Sequence, residues 1–370
     1  MNEDSASPET LSIAEVRGDT PKRSVANPFQ LHVAEDFCTW LGAQNASLAF
    51  TTYEGAKLII IGPGLYGGMT VTERNFERCM AIAAQDHRHI WISTHHQVWK
   101  LENGLQPGRH LDGWDRVYLP RAAHITGGVD VHDMAVGRDD VLYGVITQYN
   151  CIARIGGVRG SFAPVWKPPF ITEIIAEDRC HLNGFCLEDG LPAYATAVAA
   201  TNKNGEWRGH RHDGGIILNV RSGATVATGL AMPHTPRLYR GRLWFLEAAR
   251  GWFCSLDPAT GTVERHLWLP GFLRGLRFQG NYALVCMSRS RDEVFRDLPL
   301  CDELAERKAE ARCAIEIINL ATMKSEHTLE ISGAVKELYD ICLLENCRQP
   351  LLYGIEGNDI RRMVVLGDQV

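Results

Sequence analysis

Six polar groupings recur along the chain: Arg78, His132-Asp133, His181 with Asn183, His234, Arg274, and Tyr339-Asp340. Their side-chain types suit acid–base and anion-binding chemistry. Imidazole titrates near neutrality and is the commonest protein metal ligand. A guanidinium can hold a carboxylate or a developing oxyanion. Three imidazoles converging with a carboxylate or amide oxygen would suit a divalent transition metal with positions open to water or substrate. His132, His181, His234 and Asn183 are the metal-ligand candidates. Without a metal, His132 or His234 would act as general base. The catalytic candidates are His132, Asp133, His234, Arg274 and Tyr339. Arg78, His124, Arg237 and Asp340 are the substrate-binding candidates, with His124 and Asp130 reaching the same place from the loop Ala123–Asp130.

Residues so far apart need a fold that brings equivalent positions together. The groupings start roughly 40–65 residues apart, the period of propeller blades rather than of helical solenoids. Each opens a short apolar strand, then an acidic-Gly or similar turn, then an aromatic strand, as in Asn183-Gly184-Phe185-Cys186-Leu187 followed by Ala193-Tyr194-Ala195-Thr196. The stretch Arg237–Leu269 carries four strand patterns in succession, separated by Arg240-Gly241, Arg250-Gly251 and Asp257-Pro258-Ala259-Thr260-Gly261. Pro and Gly in such runs are turn chemistry. An all-β propeller of about six four-stranded blades follows, with seven also compatible. In it the inner-strand starts would meet at the mouth of the channel. The last unit has strands only near Asp340–Leu344 and Leu351–Ile355, whereas the early strands Leu48–Thr52, Lys57–Gly62 and Met69–Thr72 have no inner strand. The N-terminal strands are therefore expected to complete the last blade.

Composition narrows the function classes. The 370 residues are 45% hydrophobic, with net charge −6 and pI near 6.2. No basic stripe with interleaved aromatics appears, which argues against nucleic acid. No run of 18 apolar residues appears, which argues against a membrane span. Residues 1–27 are polar, acidic and lack a signal-peptide core, and a disordered tail is expected there. Residues 28–370 are read as one domain. Eleven scattered cysteines without a CxxC pair indicate buried thiols in a reducing, cytoplasmic location. Between residues 289 and 312 the run Asp302-Glu303-Leu304-Ala305-Glu306-Arg307-Lys308 predicts a helical insertion over one mouth, offering a lid or a surface for a protein partner.

Other motifs weigh less. His95-His96 and His210-x-His212 read as loop decoration, Gly62–Gly68 as a turn without the Lys-Ser/Thr ending of a phosphate cradle, and no G-x-S-x-G elbow is present.

The run Asn183-Gly184-Phe185-Cys186-Leu187-Glu188-Asp189-Gly190, followed by Tyr194, resembles one blade of the gluconolactonase and regucalcin-type propellers. That resemblance implies Asn183 as a metal ligand. Those enzymes also use acidic ligands, where His132, His181 and His234 stand here. From about Leu48 to Tyr353 the chain is similar to a family of uncharacterised bacterial propeller-like proteins. Phe50-Thr51-Thr52-Tyr53, Glu177–Gly184, Met232–Arg237 and Leu269–Gly275 carry that similarity. The combined expectation is a small-molecule enzyme of hydrolase, lyase or oxidoreductase type, with a His-rich metal site at the channel mouth. A non-catalytic binding or scaffold propeller is the alternative.

Overall fold

The computed structural model of the chain describes residues 9–12, 29–64, 68–84, 86, 88–157, 159–289, 297–356, 361 and 364–365. It is a six-bladed β-propeller. Blade 1 comprises Ile82–Ala83, His89–Ser93, Gln97–Asn103 and Arg116–Ile125; blade 2 comprises Val131–Val136, Leu142–Ile146, Cys151–Ile155 and Ala163–Trp166. Blade 3 runs Leu182–Glu188, Leu191–Ala197, Gly215–Asn219 and Thr225–Leu230; blade 4 runs Pro233–Tyr239, Arg242–Glu247, Trp252–Leu256 and Val263–Trp268. Blade 5 is built from Phe272–Gln279, Tyr282–Ser288, Ala314–Asn319 and Lys324–Ser332. The strands stay short because positive-φ turns interrupt them. Asp189-Gly190 (φ 52°, 73°) and Arg240-Gly241 (φ 50°, 78°) each place two such residues in succession, the geometry of a type I′ hairpin turn.

Blade 6 joins the two ends of the fold. Its inner strand Ile341–Glu345 pairs antiparallel with Ala46–Thr52, with Ile341 opposite Phe50 and Leu343 opposite Leu48, and Lys57–Pro63 and Met69–Asn75 complete it. This is the closure expected from the incomplete last repeat. Inner strands touch their neighbours around the whole ring, from Ile82–Ala83 through each blade to Ile341–Glu345 and back. The sheet edges facing the channel are thereby covered. Apolar clusters fill the seams: Leu58 and Ile60 of blade 6 are fully buried with Ile82, Ile90 and Ile92 of blade 1.

Three features depart from the sequence reading. The strand expected at Leu351–Ile355 is Pro350–Leu352, and it runs parallel to Arg116–Tyr118 on the outer edge of blade 1 rather than in blade 6. Blade 6 already has four strands there, while the outermost strand of blade 1 has backbone groups to pair and Leu352 finds full burial. Helix α1, Glu35–Ala43, was not anticipated; it buries Phe37, Trp40 and Leu41 in the cluster between blades 5 and 6. Gln30–Val33 extends blade 5 outward, and Glu9–Ser12 pairs with it in turn. The rest of the tail expected over residues 1–27 lies outside the described residues.

The insertion does contain a helix, α2, Pro299–Arg307, with proline at its start. It is not solvated all round. Leu298 and Leu300 are buried with Trp207, Met232 and Phe272, and the Arg307 guanidinium stands 4.6 Å over the Trp268 ring. All eleven cysteines are free thiols, and all but Cys301 are buried. Among the described residues no helix is long and apolar enough to cross a membrane.

Candidate functional site

The inner strands begin in the same way in several blades. Val131, Leu182 and Pro233 each pair with the last residue of the adjoining strand, Ile146, Ala197 and Glu247, and a bulge follows each. Bulges re-aim side chains at such rims. This register makes Asn183 the counterpart of His132 and His234. His181 is instead the counterpart of Asp130 and Met232, on the residue just before the strand. All three take left-handed backbone, at φ 60° for Asp130 and 50° for His181 and Met232. A non-glycine residue there costs on the order of 1–3 kcal/mol, which the surroundings must offset. At His181 the backbone N–H donates to Asp178 Oδ1 at 2.9 Å.

The same turn aligns the His181 ring. Its Nδ1 lies 2.8 Å from Asp178 Oδ2, and since the carboxylate only accepts, Nδ1 carries the proton and Nε2 the lone pair. Trp207 stacks on the ring at 4.1 Å, and His132 meets it edge to face at 4.9 Å. These rings line a cavity of about 200 Å³ together with Tyr339, Arg274, Arg211 and Glu337, and Leu298 of the insertion closes one side. The Arg274 guanidinium sits 4.5 Å over the Tyr339 ring and 3.7 Å from Glu337 Oε1. Two buried donors at the cavity wall, the Tyr339 hydroxyl and the Trp207 indole N–H, have no hydrogen-bond partner among the described residues, and the Arg274 Nε–H has only the 3.7 Å ion pair with Glu337. Buried donors of this kind are costly unless something accepts from them.

Burial sets the protonation states. Burial would raise the Asp178 carboxyl, but hydrogen bonds and charge from His181 outweigh it, and the pKa is lowered from its usual 3.8. Desolvation raises the Tyr339 hydroxyl well above 10.0, against the pull of Arg274, so it stays a phenol donor. Desolvation pushes His132 down to about 4, with the nearby His181 and Arg274 charges adding to it and Asp130 opposing. His234 moves the same way, well below 6.5. Both donate Nδ1–H to a backbone carbonyl, of Asp130 at 3.3 Å and of Met232 at 2.9 Å, and are neutral at pH 7. The unfolded chain takes up the His132 proton near pH 6.5 and the folded one only near 4, so this stability is full above that window and is lost as pH falls through it, and His234 acts in the same direction. His132 alone accounts for about 3 kcal/mol. Urea midpoints measured at pH 7 and pH 4.5 should show this loss, and His132→Gln should flatten it.

Other candidates lie elsewhere. Asp133 is buried below the mouth, where its two oxygens accept from Arg237 Nη1 and Nη2, both at 2.9 Å, and from the Phe185 N–H at 3.1 Å. Asp340 accepts from the Ile82 and Ile341 N–H groups, and desolvation raises its pKa. With Arg277, which donates to the Ile82 carbonyl, these residues form a charged layer across the channel. Asp133, Arg237 and Asp340 therefore hold the blades together there and do not line the cavity. His124 lies on the outermost strand of blade 1 and donates to the Ser161 carbonyl at 2.8 Å, away from the axis.

Among the described residues no group of three or more His, Cys, Asp or Glu side chains is arranged to hold a metal ion. His132 and His181 meet ring edge to ring face, His234 packs against Phe272 at 5.6 Å, and the Asn183 carbonyl oxygen already accepts from Thr196 at 2.7 Å.

A family profile described as a domain of unknown function, DUF4915, matches residues 35–353, which take in all six blades. The chain belongs to the DUF4915 family. No curated protein matches the sequence. The DUF4915 chain resembles a propeller in a crystal structure of a nidogen/laminin complex, at 10% identity and TM-score 0.53, over 82% of this chain and 99% of that one. A protein of unknown function from Bacteroides caccae shares 11% identity at TM-score 0.48, over 80% and 98% of the two chains. Virginiamycin B lyase from Staphylococcus aureus shares 16% at TM-score 0.39, over 65% and 73%. At such identities the first likeness speaks for the fold alone.

Of the anticipated residues, the DUF4915 mouth brings together His132, His181, Arg274 and Tyr339, with His234 buried close by. Asp178, Trp207, Arg211, Glu337 and Leu298 went unread. Asp178 had a signal, since a carboxylate three residues before His181 can reach both its backbone N–H and its ring across one turn. Trp207 and Arg211 come from the loop in blade 3 and Leu298 from the insertion, where no periodicity points to a site.

Proposed function

We propose that this protein is an enzyme that turns over a small anionic molecule at the channel mouth by general acid–base chemistry. The Asp178–His181 pair carries this reading: a carboxylate fixes the tautomer of a ring that lines a cavity whose Tyr339 and Trp207 donors have no hydrogen-bond partner among the described residues. Arg274, Tyr339 and the Trp207 N–H would hold the anionic group and any negative charge that develops on it. His181 Nε2 would take a proton from substrate carbon or from an attacking water. Its second proton stays on Nδ1 and the imidazolium is stabilised by Asp178. The proton taken up on Nε2 then goes to the leaving group, which completes an elimination in the first case and a hydrolysis in the second. His132, neutral beside it, accepts hydrogen bonds without competing for the proton.

Parent protein and His181→Gln, matched in Tm, would be incubated with a cellular small-molecule extract followed by mass spectrometry. We expect the parent to convert at least one anionic component and the variant to lose that conversion by about 10²–10⁴-fold, the range of general acid–base catalysis. Components retained by the parent but never altered would overturn the enzyme reading in favour of a binding propeller.

A further inference from the structure

We infer that the substrate of this site is an elongated molecule with an acidic group at each end, one held by Arg274 and the other by Arg78. The inference rests on the reading of the mouth as an anion site. A second cavity of about 210 Å³ adjoins the first and shares Tyr53, Met80 and Asp130 with it. Arg78, His95, Gly128 and Gln148 form its further wall. Each lobe has an arginine set on a tyrosine ring, although only Arg274 also has a carboxylate, Glu337, beside it at 3.7 Å. In one, Arg274 lies on the Tyr339 ring; in the other, Arg78 lies 5.8 Å over the Tyr53 ring, and the two tyrosine rings are 6.2 Å apart. Packing on an aromatic face fixes a guanidinium in direction without using its N–H groups.

Arg78 is moreover aimed. It takes left-handed backbone at φ 47°, and its Nη1 donates to His95 Nδ1 at 3.3 Å. No carboxylate lies within ion-pairing distance of it among the described residues, and its exposed side chain lines the second lobe. Asp130, which lines both lobes, disfavours a third acidic group between the two ends. A single-headed acid would fill one lobe and leave the other guanidinium in water. A molecule with two heads spans both.

The test is calorimetric binding of a series of α,ω-dicarboxylates and of monocarboxylates of equal length to the parent, to Arg78→Gln and to Gln148→Glu. We expect dicarboxylates of one favoured length to bind the parent about tenfold tighter than their monocarboxylate partners, the ratio that one charge-assisted contact supplies. Arg78→Gln should erase that advantage, and Gln148→Glu, which places a negative charge in the second lobe, should reverse it. Monocarboxylates that bind in an Arg274-dependent manner with no dicarboxylate advantage would overturn this inference alone. Failure of every carboxylate to bind would overturn it together with the anion-site reading.

Discussion

Asp178→Asn is expected to lower kcat by about 10²–10⁴-fold, with much less effect on KM, in any turnover that depends on His181. The substitution keeps the shape of the side chain. An amide can turn its NH2 toward His181 Nδ1, which would move the ring proton to Nε2 and remove the lone pair that accepts the substrate proton. It also removes the negative charge that stabilises the imidazolium once formed. Asp178 acts through His181 and is a positioning residue, so its loss should resemble that of His181. The double variant Asp178→Asn/His181→Gln should be scarcely slower than His181→Gln alone. A purely structural role would instead give additive losses and a lowered Tm.

Asp133→Ala is expected to cost about 3–5 kcal/mol of stability, the range for removing one partner of a buried ion pair. Asp133 is 3% exposed and holds Arg237 through two 2.9 Å hydrogen bonds as well as the Phe185 N–H. Without it, Arg237 and Arg277 would both be buried opposite the single carboxylate Asp340. Arg277 already shows the strain, since desolvation, followed by the charge of Arg237, lowers its pKa. Urea denaturation would read the loss as a lower midpoint at unchanged slope. Asp133→Ala/Arg237→Met should recover part of it, because the unpaired cation goes as well. The rim pair Arg221–Glu188 supplies the control. Its atoms approach to 2.7 Å, closer than in the buried pair, but both side chains are about half exposed, and breaking it should cost no more than about 1 kcal/mol.

The blades were legible because their signals are local. Alternating apolar residues and Gly, Asp or Asn turns specify a hairpin within a dozen residues, whatever the rest of the chain does. Even the closure of blade 6 followed from strand counting, since Ile341–Glu345 lacked partners and Ala46–Thr52 lacked an inner neighbour. Helix α1 was readable in principle from Phe37, Trp40 and Leu41 at helical spacing, although its N-cap, Ala34, supplies no capping side chain. A strand near Pro350–Leu352 was expected as well, but its place beside Arg116–Tyr118 was not, because blade 1 already had four strands and counting left no vacancy there.

The candidate residues divide along the same line. Residue type and recurrence singled out His132, His181, His234, Arg274 and Tyr339 as polar groups at strand starts. Which of them face the cavity depended on the one- or two-residue offsets that the bulges and left-handed turns introduce, and these put His181 level with Asp130 rather than with His132. Asp133 and Arg237, 104 residues apart, looked as free for catalysis as any others. Their pairing exists only when the inner strands come together in the ring. Trp207, Arg211 and Leu298 reach the cavity from irregular segments, so their part in the site was set by the packing of blade 3 and α2 over the mouth. A side chain's type is written in the chain, but its unspent hydrogen bonds are known only after the tertiary structure has assigned the rest.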